Sequence, residues 1–265
     1  MHGNPRRRAP ARHQTNEIFG VNPVIEALRA GKRPLQEITI ASGAKDARLR
    51  ELTELARAQG IPIHQAPRVT LDRRAGSRTH QGVVARVAAA QYADADELIE
   101  AFAARVGATP APLALILDGV EDPHNLGAVL RTAECARVDG VFVPERRAVG
   151  LNETVAKASA GAIEHLSVAR VTNLSRLIDQ LKERNVWVVG TAADAQMNYT
   201  DWDWTRASAI VMGGEGSGLH RLVREHCDAV VRIPVLGHIE SLNVSVATGV
   251  ILYEALRQRA AASKG

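Results

Sequence analysis

Cysteine is scarce in this chain of 265 residues: Cys135 and Cys227 are the only two, far apart and without ligand spacing to any histidine. Neither a disulfide framework nor a zinc site is expected, and a reducing cytoplasm fits best. Long apolar runs are also missing. No stretch approaches the roughly 18 apolar residues of a membrane helix, and the N-terminal MHGNPRRRAPARH has no apolar segment behind its arginines. Neither a membrane span nor a secretory signal is expected. Two nucleotide fingerprints are absent as well. No glycine loop ends in Gly-Lys-Ser/Thr, and no Gly-x-Gly-x-x-Gly follows a first strand, which disfavours triphosphate loops and dinucleotide folds. Internal repeats are lacking, and the Arg-rich start is the only low-complexity segment.

Acid is missing from residues 1–13, so Arg6, Arg7, Arg8 and Arg12 account for the whole net charge of +4. A second basic concentration, RVTLDRRAGSRTHQGVVAR, sets Arg68, Arg73, Arg74, Arg78 and Arg86 against Asp72 alone. Two basic clusters near one end point to a polyanion, with nucleic acid ahead of a membrane because no amphipathic helix carries them. A hydrophobic content of 46% is enough for real cores, and the length allows two modest domains.

What is present is alternation. From residue 16 to 90, GVNPVIEALRA and DARLRELTELARAQG read as helices, the latter with Leu49, Leu52, Leu55 and Ala56 on one face. QEITIAS, IPIHQA and HQGVVARVA read as strands, giving a small α/β domain. Residues 91–112 are expected as a linker with a short helix, and 1–15 as a disordered basic tail. Residues 113–265 alternate near-continuous apolar strands with helices, the pattern of a parallel sheet covered on both faces. Such a sheet binds its ligands at the carboxyl ends of its strands.

Three stretches there carry chemistry. In LDGVEDPHNLGAVLRTAE, Asn125 is expected to cap a helix whose core stripe is Leu126, Val129, Leu130 and Ala133. Arg131 lies about 140° from Leu126 around that helix, off the stripe and free to meet a ligand. In SAIVMGGEGSGLHRLV a glycine-rich turn lets backbone approach a ligand closely, and Glu215 inside it would repel phosphate. In IPVLGHIESLNVSVATGVILYE a polar patch, Ser241 and Asn243, interrupts an apolar strand and helix. Alone, Ser241 reads as a helix cap and Asn243 as a residue that satisfies backbone groups. All three stretches end strands of one expected sheet, so their loops converge.

Together the motifs DPHNLGAVLRTA, VMGGEGSGL and IPVLGHIESLNVSVATGVILYE resemble, in order and spacing, the signature of the SpoU family of RNA 2′-O-ribose methyltransferases. This is part of the trefoil-knotted SPOUT class, and the match covers residues 113–260. IFGVNPVIEAL and HQGVVARV resemble the substrate-binding domain of bacterial enzymes that methylate a guanosine ribose in the peptidyl-transferase P loop of 23S rRNA.

The resemblance implies an α/β fold in which a parallel-sheet domain with a deep trefoil knot follows a small RNA-binding domain. It implies S-adenosyl-L-methionine as cofactor, a homodimer through the knotted domain, and 23S rRNA or a large-subunit assembly intermediate as partner. Carried onto this chain, it makes Asn125, Arg131, Glu215, Ser241 and Asn243 catalytic. It makes Gly190, Thr191, Gly213, Ile233 and Leu242 cofactor-binding, mainly through backbone, with Ile233 and Leu242 flanking adenine. RNA contacts fall to Arg68, Arg73, Arg74 and Arg78. Asn125 is expected to orient Arg131 or the ribose. Arg131 suits phosphate anchoring and stabilisation of a developing alkoxide, whereas a guanidinium is very hard to deprotonate. A tRNA target, another rRNA site, or a non-catalytic RNA-binding assembly role are the alternatives.

Overall fold

A computed structural model describes residues 15–76, 80–216 and 218–263. The arginines of the N-terminal tail and Arg78 lie outside the described residues. The first domain runs β1 (Thr15–Phe19), α1 (Val21–Ala30), β2 (Leu35–Ala41), α2 (Leu49–Ala58), β3 (Ile63–Ala66), α3 (Arg68–Ala75) and β4 (Val83–Ala88). Its strands form one sheet in the order β1-β4-β2-β3, with only β2 and β3 parallel. Helix α1 buries Val21, Val24, Ile25, Ala27 and Leu28 and stops at Gly31, whose φ of 62° a glycine adopts without a Cβ clash. In α2, Leu52 and Ala56 are buried while Leu49 and Leu55 pack partly against the core. Helix α3 was not expected, because only Leu71 of it is buried and its sequence has little apolar periodicity.

Residues 91–112 are not a free linker. Helix α4 (Ala95–Ala103) starts at Asp94, whose side chain accepts the Glu97 N–H, and it buries Leu98, Ile99 and Phe102. These pack with Ala114, Ile116 and Phe142, so α4 belongs to the second domain. The apolar spacing of ELIEAF supplies the reason: a stripe of this size is driven from water at about 1.5–3 kcal/mol per large side chain.

That domain continues with β5 (Leu113–Asp118), α5 (Pro123–Cys135), β6 (Gly140–Pro144), α6 (Glu153–Ala158) and a 3₁₀ turn at Ala162–Glu164. Next come β7 (Val168–Val171), α7 (Leu174–Lys182), β8 (Trp187–Thr191), β9 (Met197–Asn198) and β10 (Ser208–Gly213). Helix α8 (Arg221–His226), β11 (Ala229–Arg232) and α9 (Val244–Ala262) complete it. The strands form a 7-stranded sheet in the order β7-β6-β5-β10-β8-β11-β9, and every neighbouring pair is parallel. All of β5 is buried. Leu113, Leu115 and Leu117 pack with Leu126, Val129, Ile251 and Leu252 on one face, and Ala114 and Ile116 with Leu98, Leu177 and Leu181 on the other. A strand covered on both faces has no polar position to alternate with, hence LALILD.

The two domains share one continuous apolar cluster, which joins Leu28, Ile38 and Leu52 to Leu115, Leu126 and Ile251. Across their junction Arg33 Nε donates to Glu164 Oε2 at 2.9 Å and Nη2 to Oε1, with side-chain exposures of 8% and 3%. No helix among the described residues is long and apolar enough to cross a membrane.

Candidate active site at the strand ends

Helix α5 begins earlier than the sequence suggests. Asp122 is its N-cap, accepting the His124 N–H at 2.7 Å, and Pro123 occupies the first turn. Asn125 therefore sits inside the first turn, not at the cap. Proline at this position loses no hydrogen bond, because the first helical N–H groups have no intrahelical partner. The core stripe is as expected: Leu126, Val129, Leu130 and Ala133 are buried, and Arg131 is exposed.

Freed from capping, Asn125 joins the other two stretches. Its Nδ2 donates to Glu215 Oε1 at 2.5 Å, and its Oδ1 accepts from Asn243 Nδ2 at 3.0 Å. Asn243 Nδ2 also lies 2.9 Å from Glu215 Oε1, so one carboxylate oxygen collects two amide donors. Asn243 Oδ1 caps α9 by accepting the Ser245 N–H at 2.9 Å and the Ser245 hydroxyl at 2.5 Å. The cap of α9 is thus Asn243, not Ser241. An anionic acceptor strengthens such bonds, so this junction ties α5, the β10–α8 loop and α9 together at the carboxyl edge of the sheet.

Two of the expected catalytic residues stand apart from the junction. Arg131 is six residues beyond Asn125, about 9 Å along the helix and about 120° around it. Asn125 therefore does not orient it. Arg131 makes no hydrogen bond or ion pair with a described residue, and it lines a cleft of about 420 Å³ with Asn22, Arg48, Glu134 and Gly161. Ser241 is exposed and makes no hydrogen bond with a described residue.

The residues assigned to the cofactor fall on adjacent strand ends. Thr191 closes β8, Gly213 closes β10, and Ile233 directly follows β11; β8 lies between β10 and β11 in the sheet. The Thr191 hydroxyl donates to Val211 O at 3.0 Å, which holds β8 to β10 there. The glycines also have a packing task. A Cβ on Gly213 would stand 2.2 Å from the carbonyl carbon of Gly218, and one on Gly190 2.8 Å from Leu219 Cδ1 and 3.0 Å from Cys227 Sγ. They let the glycine-rich loop fold back against the sheet, and no side chain there would project into open space. Burial pushes the neighbouring Cys227 thiol up to about 12, so it is a packing group and not a nucleophile.

From Val235 to Leu242, no backbone N–H donates to a described residue, and Leu236 is 98% and Leu242 41% exposed. Unpaired amides beside open apolar side chains suit the polar edge and flat faces of an adenine. Among the described residues no group of histidine, cysteine and carboxylate side chains could hold a metal ion.

In the first domain, Arg68 and Arg73 on α3 are exposed and make no ion pair with a described residue. Arg74 differs. Its guanidinium binds Glu17 at 2.6 and 2.8 Å, the Thr39 hydroxyl at 2.9 Å and Glu37 at 3.3 Å, so its charge is committed inside the domain. Sequence reasoning also missed Asp118 and His220, which pair across 102 positions at 2.8 Å. A carboxylate ending an all-apolar strand was the available signal, since a buried charge needs a partner.

Comparison with known proteins matches residues 112–253 to the SpoU rRNA methylase family and residues 18–93 to the RNA 2′-O ribose methyltransferase substrate-binding domain. YacO of Bacillus subtilis, named for the TrmH family of tRNA/rRNA methyltransferases, is 46% identical over 93% of this chain and 97% of its own. A Staphylococcus aureus protein named for the same family is 45% identical over 91% and 96%. Among solved structures, an RNA 2′-O ribose methyltransferase superposes with a TM-score of 0.77 at 27% identity, over 94% of this chain and 90% of that one. The SpoU methyltransferase AviRb of Streptomyces viridochromogenes, in complex with AdoMet, gives 0.75 at 25% identity over 93% and 91%. The chain belongs to the SpoU family of RNA 2′-O-ribose methyltransferases.

Proposed function

We propose that this protein transfers a methyl group from S-adenosyl-L-methionine to the ribose 2′-hydroxyl of a guanosine in the peptidyl-transferase P loop of 23S rRNA. The observation that carries the site is the Asn125–Glu215–Asn243 junction, which brings the three signature stretches to one edge of the sheet. The cofactor supplies an activated methyl on a positively charged sulfur. Thr191, Ile233, Leu242 and the unpaired backbone of residues 235–242 would hold it, and Gly190 and Gly213 let the surrounding loops close-pack. When bound, the cofactor would pass that methyl to the hydroxyl oxygen and leave as the neutral thioether S-adenosylhomocysteine, the hydroxyl proton going to water. What the chain contributes is alignment and stabilisation of charge on that oxygen. Arg131, exposed and without a partner, is the cation for that task, and it would bind an adjacent phosphate through its planar fork. Ser241 and Asn243 lie on the segment that would border the reacting ribose.

The support for rRNA over tRNA is the first domain. The Aquifex aeolicus TrmH/SpoU tRNA modifying enzyme matches 63% of this chain, with a TM-score of 0.54, whereas a structure described as an RNA 2′-O ribose methyltransferase, with no RNA class named, matches 94%. Arg68 and Arg73 on α3 give that domain free positive charge for an rRNA backbone. The same reading routes residues 233–243 through a trefoil knot and pairs two copies along α9, where Val246 and Tyr253 are exposed. Ribose methylation mapped in RNA from cells with and without the gene tests the assignment. Loss of one mark at a P-loop guanosine is expected; loss of a tRNA mark instead would move the target and keep the chemistry.

A further inference from the structure

A second polar cluster occupies the same sheet edge. Asp118, which ends β5, is 3% exposed, and its carboxylate accepts the His220 backbone N–H at 2.7 Å and faces His220 Nδ1 at 2.8 Å. A carboxylate oxygen accepts, so Nδ1 donates to Asp118 and, in the neutral ring, Nε2 is the acceptor. Arg147 Nη1 lies 3.2 Å from that Nε2, and a guanidinium only donates, which matches the same tautomer. No carboxylate among the described residues pairs with Arg147. Its φ of 58° is a conformation that non-glycine residues rarely hold, and such positions concentrate at working sites. The imidazole is 40% exposed at the edge. The cluster adjoins the junction described above: a Cβ on Gly119 would lie 3.6 Å from His220 Cε1 and 4.0 Å from the Cα of Gly214, the neighbour of Glu215.

We propose that Arg147 and His220 form a ribonucleotide-recognition subsite for the RNA strand beside the reacting nucleotide, Arg147 taking a backbone phosphate and His220 Nε2 accepting a ribose hydroxyl. The proposal rests on the RNA methyltransferase reading. A neutral imidazole is a weak partner for a guanidinium, and a phosphate offers it a charged, bidentate one. When Arg147 turns to phosphate, Nε2 is left with an unused lone pair at the surface. Asp118 holds the ring so that Nε2 is the outward nitrogen. A ribose 2′-hydroxyl is a donor that DNA lacks, so the pair distinguishes the two nucleic acids at one position. A second positive group in place of the imidazole would bind phosphate without that discrimination.

The test uses the full chain and two labelled probes, a short random-sequence RNA and a random-sequence DNA of equal length, followed by fluorescence anisotropy over a salt series. Wild-type protein is expected to prefer RNA. His220→Ala should lower RNA affinity roughly 3- to 10-fold, the scale of one lost hydrogen bond, and leave DNA affinity in place. Arg147→Ala should weaken both probes and reduce the salt slope by about one phosphate contact. Thermal melting and S-adenosylmethionine titration confirm that the variants are folded. An unchanged RNA-to-DNA ratio in His220→Ala, or an unchanged salt slope in Arg147→Ala, overturns the subsite. So does a His220→Ala protein that keeps the ratio and loses turnover at saturating RNA, since His220 would then act on the reaction itself. Wild-type protein that binds neither cofactor nor RNA would overturn the methyltransferase reading as well, whereas cofactor binding and RNA preference with wild-type-like variants would overturn the subsite alone.

Discussion

Asn243 donates a 3.0 Å hydrogen bond to Asn125, 118 positions earlier in the chain, while its own side-chain oxygen caps α9. One residue thus starts the last helix and fixes that helix to α5. Asn243→Ala removes the cap, at about 1 kcal/mol, and leaves the Asn125 side-chain oxygen without its donor. Asn125→Ala removes that bridge and a donor to Glu215 but leaves the cap. The two changes are expected to be non-additive in urea unfolding, because both sever the same contact. Additive losses would show that the junction has no energetic unity.

The buried pair between Arg33 and Glu164 gives a sharper stability prediction. Glu164→Ala leaves a guanidinium 8% exposed without its carboxylate, which should cost about 3–5 kcal/mol. Arg33→Met with Glu164→Leu should recover most of it, because an apolar pair of similar size fits a dry junction. Urea midpoints at constant slope measure both. The same contact bears on domain deletion: removing residues 1–90 would uncover Glu164 and part of a shared core, so point changes at Arg68 and Arg73 are the cleaner probes of RNA affinity.

The cysteines should behave oppositely. Cys135 is exposed, and burial holds the Cys227 thiol up at about 12. Native protein at pH 8 is expected to take one alkyl group, on Cys135, with Cys227 labelled only after denaturation; mass spectrometry reads both. The linkage sign follows. An acid whose folded pKa is raised stabilises the native state in full below its unfolded value near 9, and that contribution fades as pH rises toward 12. Cys227→Ala should therefore flatten the alkaline fall in stability.

Much of this fold is legible in sequence because it is built from strands such as LALILD, whose every residue is buried and so must be apolar. The convergence of motifs at the sheet edge follows from parallel topology alone. What stays hidden has physical causes. The start of α5 is shifted by Asp122-Pro123, a stronger start signal than Asn125. Helix α3 offers one buried leucine where a period needs several. Arg74 looks as free as Arg73 until β1 and β2 bring Glu17 and Glu37 beside it. That Gly218 and Leu219 fill the Cβ side of Gly213 is likewise not legible, since only the folded loop brings them there. Gly213→Val would thus disrupt the loop, and lost cofactor binding there would not by itself locate the cofactor.

Self-association should centre on α9. Val246 and Tyr253 are 52% and 55% exposed on a helix whose other side packs on α5. If two copies meet there, Val246→Arg with Tyr253→Arg should shift sedimentation from dimer to monomer. Exposed residues with no partner tolerate change within about 0.5 kcal/mol, so a folded, unshifted double variant would remove α9 from the interface.

The last prediction concerns Arg131, where a surface role and a catalytic role diverge most. It is exposed, contacts no described acid, and lies off the core stripe, so Arg131→Ala should change stability by at most about 0.5 kcal/mol. If it anchors phosphate and stabilises the oxygen under attack, single-turnover methyl transfer should fall roughly 100-fold or more, as when a preorganised charge-stabilising group is removed. Cofactor affinity should hold, because the strand ends at Thr191 and Ile233 are on other elements. Arg131→Lys is the harder test, since it keeps the charge and loses the planar fork; a bidentate phosphate contact predicts a severe loss there too. Tritiated methyl transfer to a P-loop rRNA fragment at saturating cofactor, with melts alongside, reads each case. Near-wild-type transfer by a folded Arg131→Ala protein would return Arg131 to the surface and shift the search for the stabilising group to Ser241 and the Asn125–Glu215–Asn243 junction.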